Sequence, residues 1–157
     1  QNVYGRLTNL TIILNNMQGR NTRIIPDRIL QLIKRSKLPP TAPNVRSILK
    51  RHKLGDWYHQ SYQIAAQLSN EQPLYFTSEQ EINIINTFTD IEEPFEIIRG
   101  EEFFGCISYI LYKICQQLGY HHILPKLRLN KDRRIISGLE TSWKKLCKQL
   151  NWKFQKV

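Results

Sequence analysis

The chain has 157 residues, 41% of them hydrophobic, with seven Gly and seven Pro, so it can bury a core of its own without disulfides or a structural metal. It carries +10 at neutral pH and three cysteines at 106, 115 and 147, an odd and scattered set that argues against a disulfide framework and fits a reducing compartment such as cytosol or nucleus. No apolar run approaches the roughly 18 residues of a membrane span, no secretory signal is visible, and a first residue that is Gln rather than Met suggests a piece of a longer protein.

Helical periodicity dominates. Leu10, Ile13, Leu14 and Met17 share one face of a first helix, and Gly19 supplies its stop. Pro26 and Asp27 open a second, with Pro in the first turn and Ile29, Leu30, Leu32 and Ile33 facing the core. Pro39, Pro40 and Pro43 end it as a stiff connector. Asn44 is the expected cap of a short helix carrying Val45, Ile48 and Leu49. Gly55 and Asp56 break that helix and start another, with Asp56 as cap ahead of Trp57, Tyr58, Ile64 and Leu68.

Residues 70–76 read as a loop or a short extended piece around Pro73. Thr77 with Gln80, or Ser78 with Glu81, forms a capping box. The helix behind it is expected to bury Ile82, Ile85, Phe88 and Ile91 and to be disrupted at Pro94. Ile107, Ile110, Leu111, Ile114, Cys115 and Leu118 make the clearest stripe, closed by Gly119. Pro125 lies in a short connector. A last long helix starts near Asn130 with Ile135, Leu139, Trp143, Leu146, Cys147 and Leu150 on one side; Asn151 ends it, and Trp152 and Phe154 fold back. With no sustained alternation and no hairpin signal, the fold class is all-α: an orthogonal array of about seven helices in a single domain, divisible into two small lobes, 1–70 and 71–157.

Charge is placed in blocks. Residues 1–70 carry 11 Lys/Arg against 2 Asp/Glu, residues 71–112 carry 1 against 9, and residues 113–157 carry 11 against 2. Basic blocks of this strength draw polyanions by releasing counterions. Arg46, Lys50, Arg51 and Lys53 crowd one short helix; Lys131, Arg133 and Arg134 crowd the start of the last; Lys144, Lys145 and Lys148 lie along its polar side. These are the candidate nucleic-acid-binding residues, since each long side chain reaches phosphate oxygens, Arg with two bonds. A merely solvated face is the alternative for any one cluster. Glu92, Glu93 and Glu96 form an acidic stretch suited to docking on a basic protein; Pro94 spoils it as an oxygen cage for a metal.

Catalytic signatures are missing: there is no glycine-rich phosphate loop, no Gly-x-Ser-x-Gly and no His-Glu-x-x-His. The adjacent His121 and His122 point about 100° apart on a helix and cannot readily share a metal. Cys115 and Cys147 read as core residues, and Cys106 as partly exposed. Trp57, Tyr58 and Tyr62 read as packing residues before they read as base-stacking ones. The expected function is binding, not catalysis, with no catalytic residue and no cofactor or metal site in this segment.

Several stretches together resemble the C-terminal region of the poxvirus late transcription factor 3 family of large DNA viruses. They are Tyr4-Gly-Arg-Leu with Met17-Gln-Gly, Ile25-Pro26, Val45-Arg46 through Leu49-Lys50, Trp57-Tyr58, Phe88-x-x-Ile91-x-x-Pro94-Phe95-Glu96, Ser108-Tyr109-x-Leu111-x-Lys113 with Leu118-Gly119, Trp143-Lys144-x-x-Cys147, and Trp152-x-Phe154. The likeness runs from about residue 4 to 154. Glu101, Phe103 and Ile107 depart from the family pattern.

The resemblance implies a module that binds DNA at late promoters, together with a viral multisubunit RNA polymerase and other viral transcription factors, in host cytoplasm, virion or nucleus. It implies a zinc-ribbon-like segment upstream of Gln1 and, by loose analogy, cyclin-like lobes. A basic helical structural or assembly subunit of a virion or ribonucleoprotein particle is the alternative.

Overall fold

The computed structural model describes residues 3–20, 22–69, 74–99, 107–127, 129 and 132–157. These residues hold seven α-helices and no strand, so the fold is all-α. The helices are α1 (Val3–Met17), α2 (Asp27–Arg35), α3 (Ala42–Arg51), α4 (Ser61–Ser69), α5 (Ser78–Arg99), α6 (Ile107–Gln117) and α7 (Arg133–Leu150). Short 3-10 turns cover Gly55–Gln60 and Leu124–Lys126. The chain divides into two compact units: an N-terminal unit, Asn9–Tyr75, and a C-terminal unit, Phe76–Val157 with Gln1–Thr8.

In the N-terminal unit, Leu10, Leu14 and Met17 of α1 are buried at the expected helical spacing, and Ile13 is partly so. Gly19 sits at φ +68°, which lets Arg20 N–H reach the Asn15 carbonyl at 2.9 Å and close the helix end. Ile25, Ile29, Ile33, Val45, Ile48, Leu49, Ile64 and Ala65 form one core, with Leu30, Leu32, Trp57 and Tyr58 packed against it. α3 lies on α4 and on the 3-10 turn between them.

Three start signals differ from the sequence reading. Pro26 precedes α2 as its cap residue instead of entering its first turn. The cap of α3 is Thr41, whose Oγ1 accepts from Asn44 N–H at 3.3 Å, and Pro43 lies inside the first turn. Pro fits there because a first-turn N–H has no helical acceptor to lose. Asp56 caps nothing: a six-residue 3-10 turn with no side-chain cap leads directly into α4 at Ser61.

In the C-terminal unit the capping box is reciprocal. Gln80 N–H donates to Thr77 Oγ1 (3.1 Å) and Thr77 N–H to Gln80 Oε1 (3.0 Å). The core face of α5 is Ile84, Phe88, Ile91 and Phe95, not the expected set: Ile82 is 56% exposed and Ile85 only partly covered. Pro94 does not end α5, which runs on to Arg99. The carbonyl that Pro94 deprives of a donor is that of Asp90, an exposed residue where water can replace the lost bond.

α6 is buried nearly all round, with Tyr109, Lys113 and Gln116 inside as well as the expected Ile107, Ile110, Leu111, Ile114 and Cys115; Leu118 lies just past its end and is half-buried. α5 packs on both α6 and α7. Trp143 on α7 meets the rings of Phe95 (5.8 Å), Tyr109 (6.3 Å) and Trp152 (6.4 Å), so the C-terminal segment does fold back. α7 starts at Arg133 behind Asp132, which accepts from Arg134 N–H, and stops at Asn151 in the left-handed region. The expected start near Asn130, most of the loop at 70–76 (residues 70–73), and Cys106, Glu101 and Phe103 lie outside the described residues.

Candidate nucleic-acid interface

Five of the singled-out cations lie on α7. At about 100° per residue, Arg133, Lys144, Lys148, Arg134 and Lys145 fall within an arc of about 120°, and Leu139, Trp143 and Leu146 point away from it. All five side chains are exposed. The remaining residues on that arc are Ser137 and Thr141, so no carboxylate of α7 interrupts it. From Arg133 to Lys148 the strip is about 22 Å long, at about 1.5 Å per residue.

Helix stability does not account for Arg133 and Arg134. Cations in a first turn oppose the helix dipole, which favours acidic residues there. Lys144 lies 5.9 Å from the Phe154 ring, an apolar support for its stem. Lys131, the remaining candidate at this end, lies outside the described residues.

The α3 cluster is in the N-terminal unit. Arg46 is half-buried over the Tyr62 ring at 5.6 Å; Lys50, Arg51 and Lys53 are exposed at the C-terminal end. That unit carries ten Lys/Arg against three Asp/Glu, a balance of +7, so it holds most of the chain's +10. Trp57 and Tyr58 pack on the core, and the Arg23 guanidinium covers the Trp57 ring at 3.8 Å while donating to the Asp56 carbonyl.

A second basic end was missed in the sequence. Lys34, Arg35 and Lys37 are exposed at the end of α2, and their signal is a near-repeat: Ile33-Lys-Arg-Ser-Lys-Leu38 against Leu49-Lys-Arg-His-Lys-Leu54. Both helices end on a left-handed lysine, but the next N–H closes them differently: Leu54 N–H returns to the Leu49 carbonyl (2.8 Å), whereas Leu38 N–H donates to Ser36 Oγ (3.3 Å). Lys37 (φ 59°) and Lys53 (φ 56°) stand in the left-handed position two residues past the last helical residue, donating to the carbonyls of Lys34 (3.2 Å) and Lys50 (3.1 Å). A residue with a Cβ costs about 1–2 kcal/mol there, and glycine is the usual occupant. This chain does use glycine at the equivalent places after α1 and α6, Gly19 and Gly119 (φ +82°).

The acidic stretch is divided by the fold. Glu93 is exposed. Glu96 is gripped by Arg6 through two bonds of 2.8 and 2.5 Å, which hold its carboxyl below the ordinary range. Glu92 is buried at 4% exposure, and burial pushes its carboxyl up, against the pull of Arg6.

A buried charge pair also escaped the sequence reading. Lys113 Nζ lies 2.9 Å from Glu140 Oε1 and donates to the Gln155 carbonyl. Glu140 further accepts from Tyr109 Oη (2.5 Å) and Val157 N–H (3.1 Å). This constellation straps the C-terminal segment to α6 and α7.

Cys115 and Cys147 are buried as expected, and desolvation pushes the Cys115 thiol up to about 12, so neither is a reactive thiolate. His121 and His122 are exposed in a turn, and His59 pairs with Asn16 at 3.0 Å. Among the described residues no three His, Cys, Asp or Glu side chains converge on a metal position, and no helix is long and apolar enough to cross a membrane.

Three viral proteins, each named a "Putative transcription factor", are similar to the chain. One from Paramecium bursaria Chlorella virus 1 is 27% identical over 161 residues, covering 96% of this chain and 45% of its own length. Two from Acanthamoeba polyphaga mimivirus are each 26% identical, covering 98% and 96% of this chain and 38% and 55% of their own lengths. The chain thus spans about half, or less, of the length of these relatives. No solved structure matches it significantly. A sequence model described as "Poxvirus Late Transcription Factor VLTF3 like" matches residues 1–154, and the chain belongs to that family.

Proposed function

We propose that this chain is the helical DNA-holding module of a viral late transcription factor, binding duplex phosphates at late promoters while the viral RNA polymerase is engaged. The observation that carries the reading is the α7 strip: five exposed cations on one arc, uninterrupted by a carboxylate of that helix, two of them placed against the helix dipole. Such contacts position a protein on DNA without reading bases, so promoter choice falls to other parts of the assembly. The family and the names of the relatives support the transcriptional role.

The test is the variant Arg133→Gln/Arg134→Gln/Lys145→Gln/Lys148→Gln. Fluorescence anisotropy with a labelled duplex should show a loss of roughly 100-fold or more at 0.15 M salt, since each lost phosphate contact removes about 0.9 from the log–log salt slope. Unchanged affinity would reject the reading. A particle subunit, by contrast, would copurify at fixed stoichiometry with a shell.

A further inference from the structure

We infer that the matched helix ends Lys34-Arg35-x-Lys37 and Lys50-Arg51-x-Lys53 are a second pair of phosphate grips on the DNA duplex, built into the N-terminal unit. The inference deepens the proposed function and rests on it.

Four observations carry it. The same four-residue pattern closes two different helices, with the last Lys of each at positive φ and donating to the carbonyl three residues back. Conformation argues for glycine there, as Gly19 and Gly119 show in the same chain. Something other than backbone geometry therefore selects a cation at both places.

The helix dipole explains only part of the pattern. It favours Lys34, Arg35, Lys50 and Arg51 in their last turns, but a lysine one step further on gains little, because the effect fades beyond the last turn. All six side chains are exposed, and among the described residues no carboxylate pairs with any of them.

The grips are also rigidly based. Ile33 and Leu49, the residues immediately before the two triplets, are both fully buried in the same core. The two ends therefore cannot drift independently, so the backbone that carries them is ordered by folding and only the exposed side chains remain to be ordered at binding. Compact ammonium groups on flexible stems suit phosphate oxygens, which need charge more than fixed geometry. The unit's balance of +7 supplies the surrounding field.

The experiment uses the whole chain with two double variants, Lys37→Gly/Lys53→Gly and Lys37→Asn/Lys53→Asn. Glycine and asparagine both accept the left-handed conformation, so the fold should be kept while two charges go. Thermal melting and anisotropy with a labelled duplex are read together. The expected result is an unchanged or raised Tm with a loss of affinity of roughly 30-fold at 0.15 M salt, the product of two phosphate contacts. Lys37→Arg/Lys53→Arg should retain binding.

Affinity kept within about twofold in both double variants, or a fall in Tm showing that the fold itself needs lysine, overturns the inference. If the α7 quadruple variant loses binding while these keep it, the proposed function stands and the inference alone fails. If none of the variants loses binding, both fail.

Discussion

Lys113 and Glu140 form an ion pair within the C-terminal unit, Nζ to Oε1 at 2.9 Å, with their side chains 0% and 14% exposed. Burial pushes the Lys113 ammonium below its ordinary pKa, and the bond to Glu140 offsets only part of that. The pair is therefore a device of specificity more than of net stability: it fixes where residues 152–157 lie.

Removing one partner should be costly. Glu140→Ala leaves the ammonium buried with no anion, only the Gln155 carbonyl and the Phe154 and Tyr109 rings, and should cost about 3–5 kcal/mol in urea unfolding. Replacing both, as Lys113→Met with Glu140→Gln, should recover most of that loss while loosening the C-terminal segment. Trp152 fluorescence would report the loosening. If the double variant is as unstable as the single one, the pair contributes packing and not charge balance.

Glu92 gives a pH dependence of definite sign. Its carboxyl titrates above the ordinary 4.5 in the folded chain because burial disfavours the charge. A pKa raised on folding contributes stability that is present below the unfolded value and lost as pH rises through the folded one. Glu92→Gln should therefore raise Tm at pH 7, and the advantage should vanish as pH falls to 4.5 and below. A lower Tm at pH 7 would mean that attraction to Arg6 outweighs burial.

Thr77→Ala breaks one arm of the reciprocal cap on α5 and should cost about 1 kcal/mol, within a range of about 0.5–2. Gln80→Ala should cost less, because it leaves the Thr77 Oγ1 bond in place. Circular dichroism melts of the two variants check the order.

The legible parts of the fold were those where local chemistry decides. The stripe of α6, the Thr77–Gln80 box, Gly19 and Gly119 follow from spacing and capping alone. The phase of α5 was misassigned although spacing carries it: Ile84, Phe88, Ile91 and Phe95 recur on one face, whereas Ile82, Ile85, Phe88 and Ile91 recur every third residue and drift round the helix. Pro94 misled because a proline inside a helix need not end it: it removes one bond and crowds one carbonyl, and α5 continues past it to Arg99.

The candidate site divides in the same way. The α7 cations could be found by counting charge, and their common arc follows from spacing alone, at about 100° per residue, in any helix that includes 133–148. The cluster of Lys50, Arg51 and Lys53 was legible, but its twin at Lys34, Arg35 and Lys37 was missed, as was the left-handed lysine ending each, which runs against propensity; the pairing of Lys113 with Glu140 was hidden because 27 residues separate them.

The most direct test of the central claim is the salt dependence of duplex binding by the unaltered chain, followed by anisotropy from about 0.05 to 0.3 M salt. If the five α7 cations neutralise phosphates, log K against log salt should fall with a slope of about −4.5 or steeper, and the α7 quadruple variant should flatten it by about 3.6. A slope near zero, or one that the variant leaves unchanged, would contradict the account.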